Sequence, residues 1–304
     1  CWRRRSIRFA GLSSLDNAIL NRLAMDKYFV LGNPVSHSLS PRIHALFAEQ
    51  TGEKLRYERL LVRPDGLDVV LRDLQSKGVR GCNITVPFKE QAYALCQQRT
   101  PRAKWAQAGN TISFAGEHMI IDNTDGVGLV RDIAQNAGVT LADKRILLLG
   151  AGGAAAGALG ALLDTKPAAL VLANRTSERA VRLVASHRAY AQQITPATRL
   201  EAATLADLPQ LGSFDLIINA TSSSLDGQPL QLMPSLLAPG AWVHDMMYGQ
   251  AALGFLQAAQ ALGAQTRDGL GMLVEQAAEA FYFWRGVRPQ TAAVLQTLRE
   301  EMQK

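Results

Sequence analysis

The stretch RILLLGAGGAAAG, residues 145–157, decides how this chain is to be read. A compact, largely apolar run of strand length comes first. Glycines follow at turn spacing, and then a run of small residues suited to a helix. Gly150-x-Gly152-x-x-Ala155 therefore stands between a strand and the mouth of a helix. There Gly150 permits a tight turn, and Gly152 lets the backbone approach a pyrophosphate. Ala151, Gly153 and Ala154 complete the turn. Small residues over 154–157 let helix and sheet pack closely, with the helix N-terminus facing the phosphate charge. A membrane span is the competing reading, because residues 146–163 are uncharged and place Gly153 and Gly157 in GxxxG spacing. Five of these eighteen residues are glycine. Strand, turn and helix explain their order better, so no membrane association is expected.

The sequence downstream extends the pattern. A strand over 169–173 and a helix from about 177 follow, with later strands at 214–219 and 241–246 and a linking helix upstream at 127–137. This is the order of a doubly wound, dinucleotide-binding sheet. The second strand ends in Asn174-Arg175-Thr176, with Arg179 one helical turn later. An NAD site carries Asp or Glu near this point to hold the ribose hydroxyls, and none is present. Two guanidinium groups and a hydroxyl suit a dianionic 2′-phosphate, so NADP is the expected cofactor. The plainer alternative is a helix start, with Thr176 or Ser177 as N-cap and ordinary surface arginines.

Upstream lies a second alternating unit. YFVLGNP (28–34) reads as a strand ending in a turn. Ser40-Pro41 opens a helix, Ser as N-cap and Pro at the first helical position. Strand over 55–62, helix over 66–76 and strand over 81–87 follow. Helix then runs to about 107, with short strands near 110–114 and 118–122. After Gly269 the chain reads as helices. A length of 304 residues accommodates two domains, and 48% hydrophobic with 19% charged residues excludes a disordered chain.

The formal charge of +6 is unevenly placed. Residues 1–24 hold five Arg and one Asp, leaving 27 basic against 25 acidic residues elsewhere. A nucleic-acid surface is therefore not expected. The basic segment reads either as a targeting peptide or as sequence upstream of a start at Met25. The second reading is the expectation, with residues 1–24 outside the fold. Cys1, Cys82 and Cys96 form no disulfide framework and no CxxC, which fits a reducing, cytoplasmic setting. His37, His44, His118, His187 and His244 show no ligand spacing, and no metal is expected.

Polar clusters mark the element ends of the first unit. SHSLSP (36–41) places Ser38 and Ser40 at a helix N-terminus, a cradle for a carboxylate. NITVPFK (83–89) gathers Asn83, Thr85 and Lys89 at a strand end. QAGNT (107–111) supplies Asn110, and NTDG (123–126) supplies Asp125 where the second unit starts. Singly, each has a plain structural role as a cap, a turn residue or a solvated lysine.

Together these segments resemble the shikimate dehydrogenases. The resemblance spans about 25–300 and rests on GNPVSHSLSP (32–41), NITVPFK, NTDG, GAGGA (150–154), NRTSER (174–179), INATS (218–222), DMMYG (245–249) and DGLGMLVEQAAEAF (268–281). It implies an α/β fold with a substrate-binding domain over 25–124 and 268–304 and a Rossmann-type NADP-binding domain over 125–267. The C-terminal helices return to the substrate domain. It implies shikimate contacts from Ser38, Ser40, Thr85, Asn110, Asp125, Tyr248 and Gln276. It implies cofactor contacts from residues 150–154, Asn174, Arg175, Thr176, Arg179, Met246 and Gly269. Lys89 would be the general acid/base and Asp125 its partner, in the reversible NADPH-dependent reduction of 3-dehydroshikimate. Partners beyond these small molecules are not implied, and the chain would be a monomer or homodimer.

Two positions depart from the family pattern. Gly109 stands where Val is usual, which would loosen backbone beside a ligand residue. Ala156 stands where an Arg often follows the glycine turn. Three other readings compete: a quinate/shikimate dehydrogenase of broader specificity, a dinucleotide-sensing homologue without catalysis, and a folate-type dehydrogenase of similar plan. The Arg pair argues against NAD. Retention of Lys89, Asp125, Asn110 and both serines argues against a sensor, and the paired serines with Asn110 and Asp125 fit a small polyhydroxy acid better than a pteridine, which would want aromatic stacking.

Overall fold

A computed structural model describes residues 25–221 and 230–303. The basic segment 1–24 and Ser222 of the INATS motif lie outside the described residues.

The first unit alternates strands and helices in chain order. These are β1 (Asp26–Gly32), α1 (Ser40–Thr51), β2 (Leu55–Leu61), α2 (Leu67–Ser76), β3 (Gly81–Ile84), α3 (Lys89–Leu95), β4 (Gln98–Arg99), α4 (Pro101–Ala106), β5 (Thr111–Ala115) and β6 (His118–Asp122). Its sheet runs β2-β1-β3-β5-β6-β4. β5 pairs antiparallel with both β3 and β6, and the other pairs are parallel. Leu67, Leu71 and Leu74 recur at helical spacing, and α2 buries that stripe in the core with Ile84, Phe88 and Ile112.

α5 (Asp125–Arg131) leads into the second unit through a wider turn at Asp132–Asn136, where Ala137 N–H bonds to Asp132 O. Then come β7 (Arg145–Leu149), α6 (Gly153–Asp164), β8 (Ala169–Asn174), α7 (Ser177–Ile194), β9 (Arg199–Thr204), β10 (Phe214–Asn219), β11 (Leu237–Asp245), α8 (Gln250–Ala261) and β12 (Gln265–Arg267). The all-parallel sheet order is β12-β11-β10-β7-β8-β9. Numbered from β7, this is the 3-2-1-4-5-6 order of the doubly wound sheet, with its reversal of direction between β7 and β10. Strands buried on both faces read as continuous apolar runs, as in Leu147, Leu148 and Leu149.

Two last helices, α9 (Leu270–Arg285) and α10 (Ala292–Met302), cover the first unit. Leu270, Val274, Ala277 and Phe281 of α9 pack with Ile43 and Phe47 of α1. Small residues allow close helix contact around α5. A Cβ on Gly126 would press into α6 at Gly157 O, and one on Gly128 would lie 2.6 Å from the Gln276 amide of α9. The GxxxG of α6 therefore serves packing inside the protein: a Cβ on Gly157 would lie 2.7 Å from Asn123 Oδ1. Among the described residues, no helix is long and apolar enough to cross a membrane.

Three local expectations change. The N-cap of α1 is Leu39, with no side-chain cap bond, because Ser40 sits in the first turn with its hydroxyl toward Ser38. The strand expected over 81–87 ends at Ile84, where Phe88 N–H closes a turn on Thr85 O. Strands β4, β9 and β12 were not legible, being sheet-edge strands that are short or polar.

Candidate active site

The polar clusters of the two units meet at one place. Lys89 starts α3 and Asp125 starts α5, 36 residues apart in sequence. Lys89 Nζ donates to Asp125 Oδ2 at 2.6 Å. Their side chains are 16% and 6% exposed, so the pair is held away from bulk water while the amine keeps a solvent-facing edge. A Cβ on Gly153 would lie 3.4 Å from Lys89 Cβ. The lysine stem therefore passes directly under the glycine turn of the second sheet.

Asn110 organises the floor. Its Nδ2 donates to Asp125 Oδ1 at 2.9 Å, Thr124 Oγ1 at 2.9 Å and Gln276 Oε1 at 3.1 Å. Its Oδ1 accepts the Thr124 N–H at 2.8 Å. Gln276 comes from α9 and is itself tied to Leu273 O. Asn110, Thr124, Asp125 and Gln276 are all buried. Buried polar groups satisfied in this way hold a fixed geometry. Thr124 was not singled out by sequence reasoning, although it stands inside the NTDG motif.

Ser38 and Ser40 lie at the start of α1, their hydroxyls 3.1 Å apart. Arg59 of β2 holds the Ser38 carbonyl through two N–H groups, at 2.9 and 2.6 Å. Sequence reasoning passed over this arginine because nothing local marks it. Tyr248 packs toward α1 against the Leu39 backbone, and burial pushes its phenol up despite nearby Arg59. Thr85 follows β3 directly and packs tightly against Gly32, where any Cβ would strike its methyl group. The two departures are both packed positions. A Cβ on Gly109 would strike Ile121, and the Gly109 N–H bonds to Lys89 O at 3.0 Å. Ala156 packs with Ala106 and Ala108.

At the other end, Gly150 adopts φ +109°, open to glycine, and turns the chain beside Ala220 and Thr221. Ala151 and Ala154 sit on either side of the turn's tip. Gly152 caps α6 in extended geometry with no side-chain cap, and a Cβ there would meet nothing within 4 Å. The first N–H groups of a helix have no partner within it, and the space beside Gly152 is open, as a pyrophosphate there requires. Asn174 Nδ2 donates to Thr176 O and shapes the tip of β8. Arg175 and Arg179 are exposed and pair with no acid among the described residues. Neither forms a structural ion pair there, so both guanidinium groups are open to an anion.

Met246 N–H bonds to Asn219 O, joining the ends of β10 and β11. Gly269 is pressed against the Met246 carbonyl, leaving no room for a side chain. Asp245, just before Met246, has its carboxyl pushed up to about 6 by burial, against bonds from the Met247 N–H and Asn219. Among the described residues, no group of three His, Cys, Asp or Glu is placed to hold a metal ion.

Comparison with known proteins agrees with this arrangement along the chain. Residues 30–112 match the shikimate dehydrogenase substrate binding domain family. Residues 132–226 match the shikimate/quinate 5-dehydrogenase family, and 269–299 match the shikimate 5′-dehydrogenase C-terminal domain family. The chain is 53% identical over 277 residues to the shikimate dehydrogenase (NADP(+)) of Acidovorax sp. (strain JS42), covering 91% of this chain and 96% of that protein. It is 50% identical over 278 residues to the one from Dechloromonas aromatica (strain RCB), covering 91% and 98%. Its structure is similar to an Ael1 enzyme from Pseudomonas putida, with TM-score 0.80 and 40% identity over 90% of this chain and 98% of that one. It is also similar to shikimate 5-dehydrogenase from Thermus thermophilus in complex with NADP(H) and shikimate, with TM-score 0.76 and 29% identity over 91% and 99%. The chain belongs to the shikimate dehydrogenase family.

Proposed function

We propose that this chain catalyses the reversible reduction of 3-dehydroshikimate to shikimate with NADPH. The single observation that carries the reading is Lys89 Nζ on Asp125 Oδ2 beneath Gly153. A proton-handling group is thereby held against the turn suited to the dinucleotide. The named relatives support both substrate and cofactor, being NADP(+) shikimate dehydrogenases.

Bound NADPH supplies the hydride. The residues of the chain orient the substrate and handle the proton. As the carbonyl is reduced, negative charge grows on its oxygen. The Lys89 ammonium stabilises that oxygen and delivers a proton to it. In the oxidative direction the neutral amine takes the hydroxyl proton. Asp125, braced by Asn110, keeps Nζ pointed at that oxygen. Ser38 and Ser40 take the substrate carboxylate with the help of Tyr248, while Thr85 and Gln276 take ring hydroxyls. Gly150 to Ala154 hold the pyrophosphate, Asn174 to Thr176 with Arg179 hold the adenosine 2′-phosphate, and Met246 and Gly269 shape the nicotinamide end. Residues 25–124 with 268–304 then act as the substrate domain and 125–267 as the NADP domain. Two free, buried cysteines, Cys82 and Cys96, suit a reducing compartment, and we assign the cytoplasm, with small molecules as the only partners.

A nicotinamide absorbance assay crossing shikimate and quinate with NADP⁺ and NAD⁺ tests the reading. Turnover of shikimate with NADP⁺ is the expected signal. Comparable rates with quinate or NAD⁺ would assign a broader-specificity dehydrogenase. Silence in all four with NADPH binding intact would leave a dinucleotide sensor.

A further inference from the structure

Behind the serine pair, on the first sheet, lies a line of polar side chains that begins with three buried ones, Tyr57, Asn83 and Thr111, that the mechanism above does not use. Tyr57 O–H donates to Asn83 Oδ1 at 2.6 Å. Asn83 Nδ2 donates to Thr111 Oγ1 at 2.9 Å, and Thr111 O–H donates to Asn110 Oδ1 at 3.0 Å. Asn110 Nδ2 donates to Asp125 Oδ1, and Asp125 Oδ2 receives Lys89. Every donor in this series points the same way, from Tyr57 toward Asp125. The line crosses the sheet from β2 over β1 to β3 and β5. Tyr28 pairs with both Tyr57 and Gly81, and Asn83 shares the face of Gly81 two residues on. Asn83 is in turn the cross-strand partner of Thr111.

The near end of the line touches the other half of the site. The Ser40 hydroxyl lies against the Tyr57 phenol and eases its ionisation, although burial and the neighbouring Cys82 push it well up. The phenol therefore stays protonated, and its O–H is the donor to Asn83 Oδ1. The His44 ring is stacked on Tyr57, centroids 4.2 Å apart and 7° from parallel, which fixes the phenol plane. Burial pulls His44 down to about 3, so the ring is neutral and adds no competing charge.

We propose that Tyr57 is a positioning residue, which through Asn83 and Thr111 braces Asn110 and hence the Asp125–Lys89 pair. This rests on the proposed dehydrogenase reading and deepens it. An asparagine amide has two orientations of nearly equal shape. The Asn110 backbone carbonyl can only accept, so it draws the Asn83 amide toward itself and Thr111, and the Tyr57 O–H holds the Asn83 oxygen on the other side. Thr111 donates onward to Asn110 Oδ1, which also takes the Thr124 N–H, and Asn110 Nδ2 is left for Asp125. Hydrogen bonds aligned head to tail also strengthen one another in a low-dielectric interior. Asp125 therefore meets Lys89 with one oxygen already engaged.

Two variants cut the line at separate points. Tyr57→Phe keeps the ring stacked on His44 and removes only the hydroxyl. Thr111→Val keeps the volume and removes the middle link. Each is expected to lower kcat about tenfold, since small misplacements of catalytic groups cost rate steeply. KM for shikimate should change less than about threefold, with NADPH binding by fluorescence unchanged. If the residues act as one line, the double variant is no slower than the slower single variant. The same cycle in urea-unfolding stability, which needs no substrate, should likewise be non-additive. Wild-type kcat in Tyr57→Phe, or additive losses in the double variant, would overturn the proposal. If Tyr57→Phe fails to fold, Thr111→Val paired with Asn83→Asp repeats the cycle. A wild type silent on shikimate would sink the dehydrogenase reading, and the stability cycle would still decide the line.

Discussion

Lys89 and Asp125 are the residues through which the two sheets of this protein share one site. The lysine begins a helix of the first sheet, and the aspartate begins the helix that leads into the second. Their 2.6 Å contact is made under the glycine turn and is braced from below by Asn110. General acid–base help is typically worth about 10²–10⁴-fold. Lys89→Ala should cut kcat by at least about that lower bound while leaving shikimate affinity within a few-fold. Steady-state kinetics and a binding titration check this, and near-normal turnover would refute the assignment.

Arg175, just past β8, and Arg179, in the first turn of α7, pair with no acid among the described residues. Charge-assisted bonds of this kind contribute about 1.5–3 kcal/mol each. Replacing both by Ser should raise KM for NADPH by at least about tenfold and leave KM for NADH nearly unchanged. A parallel loss with both cofactors would place the 2′-phosphate elsewhere.

The Gly109 position is filled from outside its own segment. Ile121 occupies the space a side chain would take, in a fully buried site. Gly109→Val should therefore overpack the core and destabilise by about 1–3 kcal/mol. It should also slow turnover, because the Gly109 N–H holds the Lys89 carbonyl. Adding Ile121→Ala should recover a good part of both losses in urea unfolding and kinetics. A stable, fully active Gly109→Val would show that the site gives way freely.

Glu279 on α9 ties the C-terminal segment to α4 and α5. It bonds to Arg102 of α4, Arg131 of α5 and Arg288. Burial alone would raise its carboxyl, but bonds from Arg288, Arg102 and Arg131 outweigh that and hold it at about 2. A carboxylate depressed in the folded state stabilises above its unfolded value near 4.5, and that stability is lost as pH falls toward 2. The acid limb of wild-type stability should therefore drop by on the order of 2–4 kcal/mol across that window. Glu279→Gln should be less stable at pH 7 and show a flatter acid limb in urea titrations. Parallel curves would show that the cluster adds nothing to stability.

What the sequence determined by itself was local. The glycine turn at 150–154, the arginines where a carboxylate would serve NAD, and the apolar periods of strands and helices all depend on neighbours a few residues apart. Those features define the doubly wound sheet and its cofactor end. Spacing alone named Asn110, Asp125 and Lys89 only as separate polar end residues, each with a plain alternative, and resemblance had to join them. The tertiary structure decided what they do to one another. Gln276 reaches Asn110 from 166 residues away, Arg59 clasps the serine loop, and Tyr57 addresses Asn83 across an intervening strand. Such pairings follow from strand order and register. Because side chains alternate faces along a strand, a slip of one residue would turn Tyr57, Arg59 or Asn83 to the other side. No local pattern in the chain carries that information, since it arises only when β1 is placed between β2 and β3 and β5 turns antiparallel beside them.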